Sequence, residues 1–242
     1  MKYKYGMNLV IDIGNTNIKA AHFKDGQLQN YFIVENTALL LQLVQEFKGN
    51  IIFSNVRKKN LSQELINAHP TILNLSLDLK LPIEIDYKTP ETLGLDRIAA
   101  CCGVLSVINK PSLVVDIGTC ITLDVLDDNK TFVGGNISPG PELRFKAMNN
   151  FTAGLPLEEL NNESKLVGKS TSEALQAGVL NGIVFEIEGF FNALKKQNEN
   201  YQLVLTGGYT TFFDSKLKGD IFAEPNLVLK GLNCILDYNV KK

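Results

Sequence analysis

The chain has 242 residues, 45% of them hydrophobic and 21% charged, and a net charge of −2. Such a composition is globular and excludes disorder, collagen and coiled coil as the main organisation. It also provides no basic field to hold nucleic acid or an anionic membrane, so neither is an expected partner and specific sites must carry the function.

Residues 1–6 read as a short tail. The apolar run after it breaks on Asp12, so it offers neither a secretory h-region nor a small-residue cleavage site. Residues 9–14, Leu-Val-Ile-Asp-Ile-Gly, predict a buried strand ending on Asp-x-Gly. A Thr-containing turn and a second apolar run over 18–23 follow, closed by Lys24-Asp25-Gly26, so the chain opens on a β-hairpin. A helix is expected over 37–47, a strand over 50–55 and a helix over 61–69. The spacing of Leu95, Ile98, Ala99, Cys102 and Leu105 predicts another helix over 93–108.

Pro111 then interrupts the chain, and the opening recurs. Residues 113–118, Leu-Val-Val-Asp-Ile-Gly, match the first strand at five of six positions, and Thr119, an apolar run over 121–126 and the turn Asp127-Asp128-Asn129 follow in the same order. Shared Asp, Gly and Thr in register favour an internal duplication over two similar buried strands. The boundary is placed near Lys110, giving halves 1–110 and 111–242. In the second half, 134–140 (Gly-Gly-Asn-Ile-Ser-Pro-Gly) reads as a loop and 141–149 as a helix. Ser170-Thr171-Ser172-Glu173 is a capping-box pattern that opens a long helix to about Leu194, with Phe190 and Phe191 on its apolar face. A strand over 202–205 runs into Thr206-Gly207-Gly208, and a last helix covers roughly 232–238. Strands alternating with helices after a hairpin imply α/β halves with mixed sheets. Cys101, Cys102, Cys120 and Cys234 show no disulfide framework, and with His22 and His69 as the whole histidine complement a zinc site is not expected. A cytoplasmic protein with reduced thiols is the expectation.

The chemistry concentrates in the turns. Gly14 permits close backbone approach, Asn15, Thr16 and Asn17 supply short polar groups, and N–H groups of such a turn can cradle phosphate oxygens. Asp12 at the strand end could hold Mg²⁺ directly or through water, and Lys19 could add a cation. A tight turn with self-bonded side chains fits the same residues. Repetition at Asp116-Ile117-Gly118-Thr119 favours two loops around one nucleotide. A Walker-type loop, a protein-kinase glycine loop and a dinucleotide fingerprint are all absent from the sequence. Asp96 sits in a first helical turn, where the dipole favours an anion; capping and a general base beside a carboxylate-binding Arg97 both fit. Gly207 and Gly208 follow a strand where the chain could pass beneath an adenine ring.

These motifs, in this order, resemble the acetate and sugar kinase/Hsp70/actin superfamily and, more closely, the type III pantothenate kinases. Residues 12–16 resemble that family's first phosphate motif, Gly94-Leu95-Asp96-Arg97 its Gly-x-Asp-Arg motif, and residues 116–124 its second phosphate motif. Residues 134–140 resemble its Gly-Gly-x-Ile-x-Pro-Gly segment, and Thr206-Gly207-Gly208 its adenosine motif. The match runs from Met7 to about Tyr238; Cys120 stands where alanine is usual.

The resemblance implies two similar ribonuclease H-like α/β halves with mixed β-sheets, an actin-like ATPase duplication. It implies ATP-dependent phosphorylation of pantothenate to 4'-phosphopantothenate, the first step of coenzyme A biosynthesis. By the same resemblance Asp96 would accept the hydroxyl proton. Tyr87, Gly94, Leu95, Asp96, Arg97 and Thr171 would contact pantothenate. Asp12, Gly14, Asn15, Thr16, Asn17, Lys19, Thr119, Gly207 and Gly208 would hold ATP, with Mg²⁺ at Asp12. Asp116 would bind a monovalent cation, potassium or ammonium. A homodimer is implied, with the substrate site at the interface and Thr171 supplied by the other subunit. The alternatives are a non-catalytic transcription accessory protein of the same fold and another small-molecule kinase of the superfamily. Retention of Asp12, Asp96, Asp116 and Thr119 weighs against the first. The short chain weighs against kinases that close insertions over a sugar.

Overall fold

The structure is a computed structural model that describes residues 6–14, 16–57, 59–161 and 165–240. Asn15 lies outside the described residues. Two compact units form: one takes residues 1–109, 129–132 and 226–242, the other 110–128 and 133–225.

The first unit opens with β1 (Asn8–Ile13), β2 (Ile18–Lys24) and β3 (Gln27–Val34), an antiparallel meander. Helices α1 (Thr37–Glu46) and α2 (Lys59–Ala68) connect to β4 (Asn50–Asn55) and β5 (Ile72–Asn74), which add parallel strands to give the order β3-β2-β1-β4-β5. The opening strand is buried almost throughout, as its continuous apolar run requires of a strand covered on both faces. Asn36 caps α1, its side chain accepting from the Leu39 N–H. After the two-residue β6 (Glu84–Ile85) comes α3 (Leu95–Val107).

The last helix, α7 (Leu227–Val240), is counted with the second half in the sequence but packs in the first unit. Leu227, Leu229, Leu232, Ile235 and Leu236 are buried, and a polar clasp fixes its register. Asn8 Nδ2 donates to Asn233 Oδ1 at 2.8 Å and to Asp237 Oδ1 at 3.0 Å. The helix lies against α3 so closely that a Cβ at Gly231 would run into the Ala99 carbonyl oxygen. It begins five residues earlier than the sequence pattern indicates.

The second unit repeats the opening with β7 (Ser112–Ile117) antiparallel to β8 (Cys120–Leu126). The two hairpins match in kind but differ in tip length, because Ile13 pairs Ile18 whereas Ile117 pairs Ile121. Next come β9 (Thr131–Pro139), α4 (Pro141–Phe151), α5 (Thr171–Gln197), β10 (Gln202–Thr206), α6 (Thr210–Asp214) and β11 (Ile221–Ala223). The sheet runs β11-β10-β7-β8-β9, with β10 parallel to both β7 and β11. Residues 134–140, expected as a loop, are strand as far as Pro139. Glycine and proline are tolerated there because β6 covers only Thr131 and Phe132 and leaves the rest of β9 as an edge on that side.

Helix α5 alone among the described residues is long and apolar enough, by length and composition, to cross a bilayer. Its Leu175, Val179, Leu180, Ile183 and Ile187 are buried in the core of the second unit, the behaviour of a core helix. The capping box forms in altered form: Ser170 accepts from the Glu173 N–H, but the Glu173 carboxylate accepts from the Lys169 N–H and pairs with Lys165. The apolar face also divides differently from the pattern. Phe191 packs on the core while Phe190 and Phe185 are exposed.

Candidate active site

In the first unit β1 carries Asp12 to the sheet's end. Register alone places three side chains together, since Asp12 pairs Lys19 on β2 and Ser54 on β4. The Ser54 hydroxyl, fully buried, donates to Asp12 Oδ1 at 2.7 Å. Although part of Asp12 reaches the surface, its carboxyl is enclosed, and burial pushes its pKa up. The Ser54 bond and Lys19 oppose that shift, while the nearby Asp96 carboxylate adds to it. The following turn is closed by the Gly14 N–H donating to the Asn17 carbonyl at 3.0 Å. Arg57, an exposed residue with no motif to mark it, donates from Nε to the Gly14 carbonyl at 2.6 Å and brings a cation to this turn.

Gly94 is the N-cap of α3 and offers no side chain for capping. Asp96 supplies that function itself, its Oδ1 accepting from the Arg97 N–H at 2.9 Å. Both roles open at the sequence level are thus compatible: one carboxylate oxygen serves the helix start, and the group is only half-buried. Arg97 is 6% exposed, and its guanidinium carbon lies 5.6 Å from the centroid of the Phe132 ring. Tyr87 meets the same ring edge-on at 5.8 Å. Asp12, Lys19, Asp96, Arg97 and Tyr87 thus all lie in the first unit, with Ser54 and Arg57 at the Asp12 turn and Phe132 against Arg97 and Tyr87.

In the second unit Asp116, one residue before the end of β7, lies opposite Thr206 of β10. Gly207 has φ of +95°, and a Cβ there would strike the Asp116 carboxylate. A glycine is required for the chain to turn beside that side chain. The Thr119 carbonyl accepts from the Gly140 N–H at 2.9 Å, which ties the β7–β8 turn to the start of α4. Tyr209, following Gly208, donates its hydroxyl to Glu142 Oε1 at 2.7 Å. Burial and then Glu142 push the tyrosine pKa up to about 12, so it stays a donor at neutral pH. Thr171 is exposed in the first turn of α5, in this unit and not the one holding Asp96 and Arg97.

Among the described residues no three His, Cys, Asp or Glu side chains cluster as a metal cage. A single enclosed carboxylate with a serine hydroxyl beside it suits Mg²⁺, which keeps waters and takes most other oxygens from phosphate. Enclosing that charge costs stability. Asp12→Asn retains an oxygen acceptor for Ser54 and should stabilise the ligand-free protein at neutral pH by about 1 kcal/mol, roughly 2–4 °C in Tm. Because folding raises the Asp12 pKa, the wild-type penalty appears as pH rises through the folded value. The gain from asparagine should therefore disappear below the ordinary carboxylate range. Thermal scans across pH test both; an unchanged or lower Tm at neutral pH contradicts the argument.

Comparison with known proteins bears on the whole chain. The family model for type III pantothenate kinase matches residues 8–193. A type III pantothenate kinase of Cytophaga hutchinsonii is 42% identical, covering 97% of this chain and 100% of its own. One from Phocaeicola vulgatus is 43% identical with the same coverage. A solved structure from Campylobacter jejuni, named for the Baf family of transcriptional activators, is 28% identical with a TM-score of 0.67, covering 96% of this chain and 98% of that one. A ROK hexokinase from Thermus thermophilus, at 12% identity and TM-score 0.50 over 95% of this chain and 98% of its own, shares the fold alone. The repeated hairpins, the Asp12 and Asp116 strand ends and the Asp96-Arg97 helix start are thus features of a chain that belongs to the type III pantothenate kinase family.

Proposed function

We propose that this chain transfers the γ-phosphoryl group of ATP to the primary hydroxyl of pantothenate, giving 4'-phosphopantothenate and ADP at the first step of coenzyme A biosynthesis. Family membership supports the reaction. The observation that carries the residue assignment is that Asp96, Arg97 and Tyr87 share one unit with the Asp12 turn. The pantothenate hydroxyl oxygen attacks the γ-phosphorus, the bond to the β–γ bridging oxygen breaks, and Asp96 takes the hydroxyl proton. Arg97 and Tyr87, with Gly94 and Leu95 beside them, orient pantothenate. Gly14, Asn15, Thr16, Asn17, Lys19 and Thr119 hold the phosphates, and Gly207 and Gly208 lie under the adenosine. Asp12 would hold Mg²⁺, directly or through water, and the ion would supply charge neutralisation on the phosphates.

Three finer assignments belong to the same proposal. The halves 1–110 and 111–242 descend from one duplicated ribonuclease H-like element. The enzyme is a cytoplasmic homodimer. Asp116 binds a monovalent cation, potassium or ammonium, because a carboxylate facing ATP phosphates would otherwise repel them. Activity should therefore fall strongly when potassium is replaced by tetramethylammonium at matched ionic strength, and equal rates would contradict the Asp116 assignment.

The reaction itself is tested by incubating the protein with ATP, Mg²⁺, potassium and pantothenate and detecting the phosphorylated product by mass. ADP release should require pantothenate. Release that requires a sugar, or needs no acceptor, or does not occur, would overturn the proposal.

A further inference from the structure

We propose that Phe132 is a positioning residue for the acceptor substrate, acting through Arg97 and Tyr87; the inference rests on the assignment of those two side chains to pantothenate. Phe132 is the second residue of β9, in the second half of the sequence, yet with residues 129–132 it belongs to the first unit. Its ring is fully buried. The guanidinium of Arg97 sits over it at 5.6 Å from the centroid, and Tyr87 meets it at 5.8 Å with an interplanar angle of 72°. The main chain fixes the same register. Phe132 pairs Ile85, its carbonyl accepts from the Asp86 N–H at 2.9 Å, and the Lys130 carbonyl accepts from the Glu84 N–H at 3.0 Å.

Two physical consequences follow from this arrangement. Arg97 is buried as a residue, so its guanidinium has lost much of its water, and the negative face of an aromatic ring restores part of that interaction at a fixed place. Leucine fills a similar hole but has no such face. Tyr87 lies just past a strand of only two residues, so the edge contact with Phe132 is a main constraint on where its ring points. Phe132 thus sets two of the proposed acceptor contacts at once, while the Asp12 turn does not depend on it.

The test is a steady-state series on full-length protein, with folding checked by circular dichroism. Phe132→Leu should raise the KM for pantothenate about tenfold and leave the KM for ATP within about twofold, and Phe132→Tyr should restore the pantothenate KM. If Phe132→Leu does not fold, Phe132→Met, unbranched and adaptable, carries the same expectation. In an Arg97→Met background the effect of Phe132→Leu should shrink markedly, because the residue it acts through has gone. A folded leucine or methionine variant with unchanged pantothenate KM, equal rises in both KM values, or full additivity with Arg97→Met would overturn the inference. Failure of the wild-type protein to turn over pantothenate would instead be failure of the functional assignment.

Discussion

Asp96→Asn should lower kcat by about 10²–10⁴-fold, the usual contribution of a positioned general base, with little change in either KM. The variant is a clean one for structural reasons. Asparagine keeps Oδ1 in place to accept from the Arg97 N–H, so α3 starts as before. Phosphoryl transfer places most of its demand on positioning and charge neutralisation, and those parts of the site are untouched. Removing Asp96 also withdraws one of the influences that raise the Asp12 pKa. The proposed Mg²⁺ carboxylate therefore ionises more readily in the variant, and a loss of rate cannot be assigned to a weakened metal site. What is lost is the acceptor for the hydroxyl proton. A folded Asp96→Asn protein that keeps near-wild-type turnover would leave Asp96 as a helix cap and nothing more.

The parts of this molecule legible in the sequence are those whose signal is local. Both opening hairpins could be read because an apolar strand ending on Asp-x-Gly is written in consecutive residues, twice. The long helix and its Ser170 cap were legible for the same reason. The edge strand β9 was not, because glycine and proline are loop signals by default and only the shortness of β6 makes them acceptable in a strand. Ser54, Arg57 and Phe132 escaped for a different reason. Each is an ordinary residue type in an ordinary segment, and its place near the proposed site follows from pairing with residues far along the chain: Ser54 with Asp12, Arg57 with Gly14, Phe132 with Ile85 and Arg97. The packing of α7 in the first unit was hidden likewise, since the clasp of Asn8 on Asn233 and Asp237 joins the two ends of the sequence.

Mixing two inactive proteins should restore activity if the proposed dimer shares its substrate site. Thr171 stands exposed at the first turn of α5, in the second unit, while Asp96, Arg97 and Tyr87 are in the first. On the same helix Phe185 and Phe190 are 57% and 41% exposed, apolar surface that a second subunit would cover. In a symmetric pair each substrate site would draw Asp96 from one subunit and Thr171 from the other. Asp96→Asn lacks the proton acceptor, and Thr171→Arg places a long cation where substrate should sit, so each alone should be inactive. A hybrid dimer then has one site with both defects and one with neither. With random exchange of equal amounts, half the dimers are hybrids, and the mixture should recover about a quarter of the wild-type sites. The measurement is turnover after exchange, with hybrid formation verified on differently tagged subunits by mass. Recovery requires that Thr171 act on the other subunit's Asp96 site; a site built within one chain would remain broken in every combination. No recovery despite verified hybrids, or full activity from a wild-type monomer at working concentration, would place the substrate site within a single chain.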